Sequence, residues 1–84
     1  MELVTAVYYI NWTEYESGWG QRPDGVSIHR SQAEAFRFKN MIEDKGSYDY
    51  YSRGSHPILV EATPVMVDLL KDNDSAWLQV NGNI

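Results

Sequence analysis

The sequence predicts an α+β fold of order β-β-α-β-α-β, a mainly antiparallel sheet with one or two helices on one face. Three observations predict it. The opening segment is rich in Val, Thr, Ile and Tyr, as strands are. Two segments carry helix-start signatures, Ser31-Gln32-Ala33-Glu34 and Thr63-Pro64. The remaining apolar runs are too short for further helices and alternate with polar residues. With 84 residues the chain holds one domain, residues 1–84.

Each element has its own reason. From Glu2 to Trp12 the even positions Val4, Ala6, Tyr8, Ile10 and Trp12 form one apolar face. The odd set, Leu3, Thr5, Val7 and Tyr9, is also largely apolar. Such a strand is central and covered twice, or lends one face to a partner. Residues 13–25 break the pattern, and Pro23-Asp24-Gly25 reads as a turn: Pro fixes φ, Asp bonds local backbone, Gly takes positive φ. Val26 to His29 then reads as a short strand pairing back across a long loop. Ser31 caps a helix from Gln32 to about Lys45, with Ala35, Phe38, Met41 and Ile42 on one side and Phe36 roughly opposite. Phe36 is therefore either packed by a loop or an exposed contact residue. Residues 46–57 form a second loop, followed by a strand over Ile58 to Ala62. Thr63 caps a short helix with Val65, Met66, Leu69 and Leu70 inward. Ala76 to Val80 closes the sheet.

Composition excludes several classes of function. There is no cysteine, hence neither disulfide nor thiolate metal site. No apolar stretch approaches the roughly 18 residues that a membrane span requires, and no apolar leader follows Met1, so a soluble cytoplasmic protein is expected, with no membrane partner. A net charge of −5 disfavours generic binding of DNA or RNA while fitting a basic protein partner. His29 and His56 lack the spacing of a metal pair, so no metal and no cofactor is expected. A hydrolase or phosphodiesterase reading would rest on His29 with Ser27, Arg22 or Asp24, but no orienting acid or second histidine accompanies it.

The aromatic load is the unusual feature: six Tyr, three Trp and two Phe. The run Tyr48-Asp49-Tyr50-Tyr51-Ser52-Arg53-Gly54-Ser55 has the vocabulary of paratopes, rigid amphipathic area with little side-chain entropy to lose. Trp12 to Tyr15, with Glu14 and Glu16 beside it, is a second acidic-aromatic candidate. Trp19 with Arg22 could grip a nucleotide by stacking and phosphate pairing, or Trp19 could plug the core. The expected partner- or ligand-binding set is thus Trp12, Tyr15, Trp19, Arg22, Phe36, Tyr48, Tyr50, Tyr51 and Arg53, with no catalytic residue. Glu43 and Asp44 stand at the helix end where the dipole disfavours negative charge, a placement helix stability does not explain.

The segment Trp19-Gly20-Gln21-Arg22-Pro23-Asp24-Gly25-Val26-Ser27-Ile28-His29 resembles a motif of small accessory proteins of tailed bacteriophages and prophages. In those, Trp-Gly-x-Arg-Pro-Asp-Gly-x-Ser-aliphatic-His joins an opening strand to an amphipathic helix. The likeness extends loosely to Tyr51-Ser52-Arg53 and the closing strand, and departs at Tyr48–Tyr51 and Trp12–Tyr15. The resemblance implies a counter-defence protein that inhibits a host antiviral effector, a toxin–antitoxin, CRISPR or restriction component. The expected partner is then a host defence protein, an RNA- or DNA-handling enzyme with a basic groove among the candidates. The alternative is an oligomeric sponge for a nucleotide second messenger, for which the doubly apolar first strand would supply a homodimer face.

Overall fold

A computed structural model describes residues 5–78 and places β1 (Ala6–Glu16) at the centre of a five-stranded antiparallel sheet. The other elements are β2 (Gly20–His29), α1 (Gln32–Asp44), β3 (Tyr50–Gly54), β4 (Ile58–Glu61), α2 (Pro64–Leu69) and β5 (Ser75–Leu78). The α+β class holds, with order β-β-α-β-β-α-β, one strand more than expected. Leu3, Val4 and Val80, expected in the first and last strands, lie outside the described residues.

One edge of β1 pairs with β2 from Tyr8 to Glu16. The other edge is shared: β3 pairs with Trp12–Glu16 and β4 with Ala6–Tyr9. Residues 55–57 stand opposite only residues 10 and 11, so β3 and β4 form a single edge strand broken by a bulge. Ser55 keeps this break attached. Its N–H donates to the Asn11 carbonyl at 2.8 Å, and its Oγ accepts from the Asn11 N–H at 3.0 Å. β5 pairs with the end of β2, Ile28 opposite Ala76.

The expected long loop at 13–25 is mostly strand. β1 runs on to Glu16, and only residues 17–19 turn the chain. The Trp19 N–H donates to the Glu16 carbonyl, and Gly18 takes φ +85° at the position a type II turn requires. Pro23-Asp24-Gly25 is not a turn but a bulge. Trp12 faces Gly25 and Thr13 faces Pro23, leaving Asp24 as the extra residue, with Gly25 at φ +111°.

The two helices cover opposite faces. Val7, Val26 and Ile28 pack with Met66 and Leu70 of α2 and its neighbour. Ile10 and Trp12, which point the other way by strand alternation, pack with Ala35, Phe38 and Ile42 of α1. The doubly apolar strand is therefore covered twice by its own chain. Ser31 and Thr63 cap as expected, accepting from the Glu34 and Met66 N–H groups. Met41 and Val65, expected inward, are exposed. Arg30 at the end of β2 donates to the Leu70, Lys71 and Asn73 carbonyls, supplying the C-terminal cation that α2 lacks in its own last turn. No helix among the described residues is long and apolar enough to cross a membrane.

Candidate functional site

The distal half of β1 projects between β3 and the first residues of β2, and this ribbon gathers most of the expected contact residues. Register brings them together: Glu16 stands between Gly20 and Tyr50, Tyr15 between Gln21 and Tyr51, and Glu14 between Arg22 and Ser52.

On the Glu14 side the geometry is that of a shared carboxylate. Tyr50 donates its hydroxyl to Glu14 Oε2, and Arg22 Nε donates to Oε1 at 2.5 Å. The Glu14 side chain is 8% exposed, whereas Arg22 is 70% exposed and reaches in from solvent. The Tyr50 hydrogen bond first, then Arg22, hold the Glu14 carboxyl below the ordinary carboxylate range. The same bond raises the Tyr50 hydroxyl above its ordinary value. Burial and then the Glu14 charge raise the Asp24 carboxyl, although Ser52 Oγ donates to it at 3.4 Å. A shallow hollow of about 310 Å³ opens beside this cluster, lined by Glu14, Glu16, Trp19, Gln21 and Arg22.

Alternation turns Tyr15, Tyr51 and Arg53 to the opposite side. Tyr15 and Tyr51 stack with centroids 5.0 Å apart and planes 12° apart, and Arg53 Cζ lies 5.7 Å from the Tyr51 centroid. Tyr48, Glu16 and the turn backbone complete a second hollow of about 440 Å³. Trp19 at the tip is 82% exposed, Tyr48 93% and Tyr50 47%.

Two expected contact residues lie elsewhere. Trp12 is buried: its ring packs edge-on to Phe38 at 6.2 Å and against Trp77 at 5.7 Å, and its Nε1 donates to Ser27 Oγ at 2.8 Å. It belongs to the face that α1 covers, and its one polar group is satisfied there. Phe36 sits on α1, away from the ribbon, with its ring edge-on to His56 at 5.7 Å, so the β3–β4 break packs it in part. Trp77, absent from the expected set, is partly exposed at the rim of the Trp12–Phe38 cluster. Its only sequence signal was its position opposite the apolar Ala76 and Leu78 in an alternating strand.

Glu43 explains its own odd placement at the helix end. Its carboxylate accepts from the Gly54 N–H at 3.0 Å and pairs with Lys39 at 2.9 Å, tying α1 to β3. Burial opposes its charge, but the Gly54 and Lys39 contacts win and lower its carboxyl.

The Ser27–His29 pair is real but inaccessible. Ser27 Oγ lies 2.8 Å from His29 Nε2, and Ser75 Oγ lies 2.7 Å from Nδ1. Both residues are fully buried, so no surface exists at which substrate could meet a nucleophile. Burial pushes the His29 imidazole down to about 4, so a neutral ring links the two serines. Among the described residues no group of three His, Asp or Glu side chains is placed to hold a metal ion.

No protein-family model, curated protein or solved structure matches the chain.

Proposed function

We propose that this chain is a stoichiometric binding protein that docks the distal end of its sheet on a basic partner and blocks it. The partner class that the Trp19–His29 resemblance implies is a host antiviral effector, and an enzyme that handles DNA or RNA has the basic groove this surface complements. The observation that carries the reading is the exposure of Trp19, Tyr48 and Tyr50 on one ribbon around two hollows. Trp, Tyr and Arg are the side chains that dominate interface energetics. Tyr50, like Tyr15 and Tyr51, rides on a paired strand and loses little conformational entropy on docking, while Trp19 and Tyr48 stand in the adjoining turn and loop. The net charge of −5 adds steering toward a basic surface.

The nucleotide-sponge reading gains nothing from this geometry. Arg22, its phosphate clamp, is already paired with Glu14, and Glu14 and Glu16 line the same hollow as Trp19. Both faces of β1 are covered by the chain's own helices, which removes the argument for a dimer through that strand.

Affinity purification from an infected host, with and without nuclease, followed by mass spectrometry tests the proposal. A basic protein retained after nuclease treatment, and inhibited at one equivalent, supports it. Recovery of a small ligand with no protein partner overturns it.

A further inference from the structure

We propose that the outer edge of β4 pairs with β4 of a second copy of this chain, antiparallel and in register about Val60. The inference goes beyond the docking reading and does not depend on it. β3 and β4 form one broken edge strand, and the chain guards its β3 half. There the Gly54 N–H donates to Glu43, and the Tyr50 carbonyl accepts from the Ser47 N–H. On the β4 half, the Ala62 N–H donates to the Thr5 carbonyl, so by alternation Val60 and Ile58 also turn their main-chain groups toward β1. Leu59 and Glu61 turn theirs outward, and among the described residues nothing bonds them. Such a row of unpaired N–H and C=O groups is a template for another strand.

Apolar side chains flank this edge on both sides. Ile58 is exposed on the α2 side, as is Val65 of α2 itself, and Leu59 is 61% exposed on the α1 side. Three features select a second copy as the occupant. In register about Val60, Leu59 stands opposite the partner subunit's Glu61 and Glu61 opposite the partner subunit's Leu59, so every outward main-chain group meets its complement. A register about Glu61 would set like charges face to face, and one about Leu59 would set Glu61 opposite Pro57, which has no N–H to give. A loose peptide would pay an ordering cost that so short a contact repays poorly, whereas β4 is already fixed against β1. Glu61 is the only charge on the strand, so a basic surface gains little here, while a copy covers Ile58 and Leu59. The two docking ribbons then run to opposite ends of one continuous sheet and keep their exposure.

The test is sedimentation velocity of the full chain from about 1 μM to about 1 mM, since a contact well below the roughly 800 Å² per copy of a stable complex dissociates within that range. A reversible doubling of mass is expected. Leu59→Glu sets a carboxylate opposite the partner subunit's Glu61 and should weaken the dimer about tenfold or more. Adding Glu61→Lys should restore it, because opposite charges then face each other at both pairs. Both positions are exposed, so the urea midpoints of these variants should stay near that of the parent, which separates loss of pairing from loss of folding. A parent that stays monomeric, a dimer indifferent to Leu59→Glu, or a double variant that does not recover overturns the inference. A monomer that still captures and inhibits a basic partner leaves the docking proposal standing, and only this assignment falls.

Discussion

Ser27 Oγ and His29 Nε2 lie 2.8 Å apart on the α1-facing side of β2, and neither residue has any surface in contact with solvent. Trp12 donates to the same Ser27 oxygen, and Ser75 on β5 meets the other imidazole nitrogen. A polar chain therefore crosses from β1 through β2 to β5 inside the core. What looks like a catalytic pair is a structural one.

That chain makes stability depend on pH. The unfolded imidazole takes its proton at about the ordinary value of 6.5, whereas the buried ring does so only near 4. Above 6.5 both states are neutral and stability is flat. As pH falls from 6.5 toward 4 the unfolded state gains the proton first, so stability drops, by about 2 kcal/mol at pH 5. Glu14 and Glu43 add to the drop only at the low end of that window. Their carboxyls are held below the ordinary 4.5, so their contribution is present above it and fades only at lower pH. Urea unfolding at pH 7.5 and 5.0 measures the drop. His29→Gln should remove it, and the imidazole titration followed by NMR reads the same value without a variant.

The buried serine should be costly to lose. Ser27→Ala leaves the Trp12 indole N–H and one His29 nitrogen without their partner in a dry environment. Unsatisfied buried polar groups cost about 1–3 kcal/mol each. The urea midpoint should fall by an amount equivalent to about 2 kcal/mol or more, with an unchanged denaturant slope. A midpoint within error of the parent would show that the chain contributes nothing.

The parts of the fold that the sequence predicted correctly are those with local signals. Ser31 and Thr63-Pro64 mark both helix starts, and the alternation of Tyr8, Ile10 and Trp12 marks the α1-facing side of β1. β3 escaped because its identity is set by a partner strand more than thirty residues earlier in the chain. Tyr50 to Gly54 is an edge strand with loop composition, and its Gly reads as a turn residue. Pro23-Asp24-Gly25 misled for the opposite reason: the same positive φ that makes a turn also makes a bulge, and only the pairing partner decides. At the site, the exposed character of Tyr48 and Tyr50 was legible from residue type. The burial of Trp12 was not, because it depends on Ser27, Phe38 and Trp77 arriving from three other elements.

Gly54 is required by close approach. A Cβ there would lie 2.7 Å from Ile10 Cγ2 and 3.1 Å from the Trp12 ring, both side chains fixed in the core. Gly54→Ala should cost about 1–3 kcal/mol through overpacking. In a domain of this size that is a fall in Tm of about 5 °C or more, read by a thermal melt. A Tm equal to that of the parent would mean that β3 can shift off the sheet at no cost.

The docking surface makes the sharpest demand on binding without folding. Trp19 is 82% exposed at the hairpin tip, so Trp19→Ala should leave the urea midpoint unchanged. If the ribbon is the contact surface, the same substitution should weaken the complex with the captured partner about tenfold or more. Tyr50→Ala should act in the same direction by about 1 kcal/mol or more, but with some loss of stability, since its hydroxyl serves the Glu14 carboxylate. Salt separates steering from anchoring. Raising it shortens the screening length, about 8 Å at physiological strength, and should slow association while leaving dissociation nearly unchanged. Surface plasmon resonance of the parent and both variants at two salt concentrations measures all of this. A complex indifferent to Trp19→Ala, to Tyr50→Ala and to salt would place the contact elsewhere on the molecule.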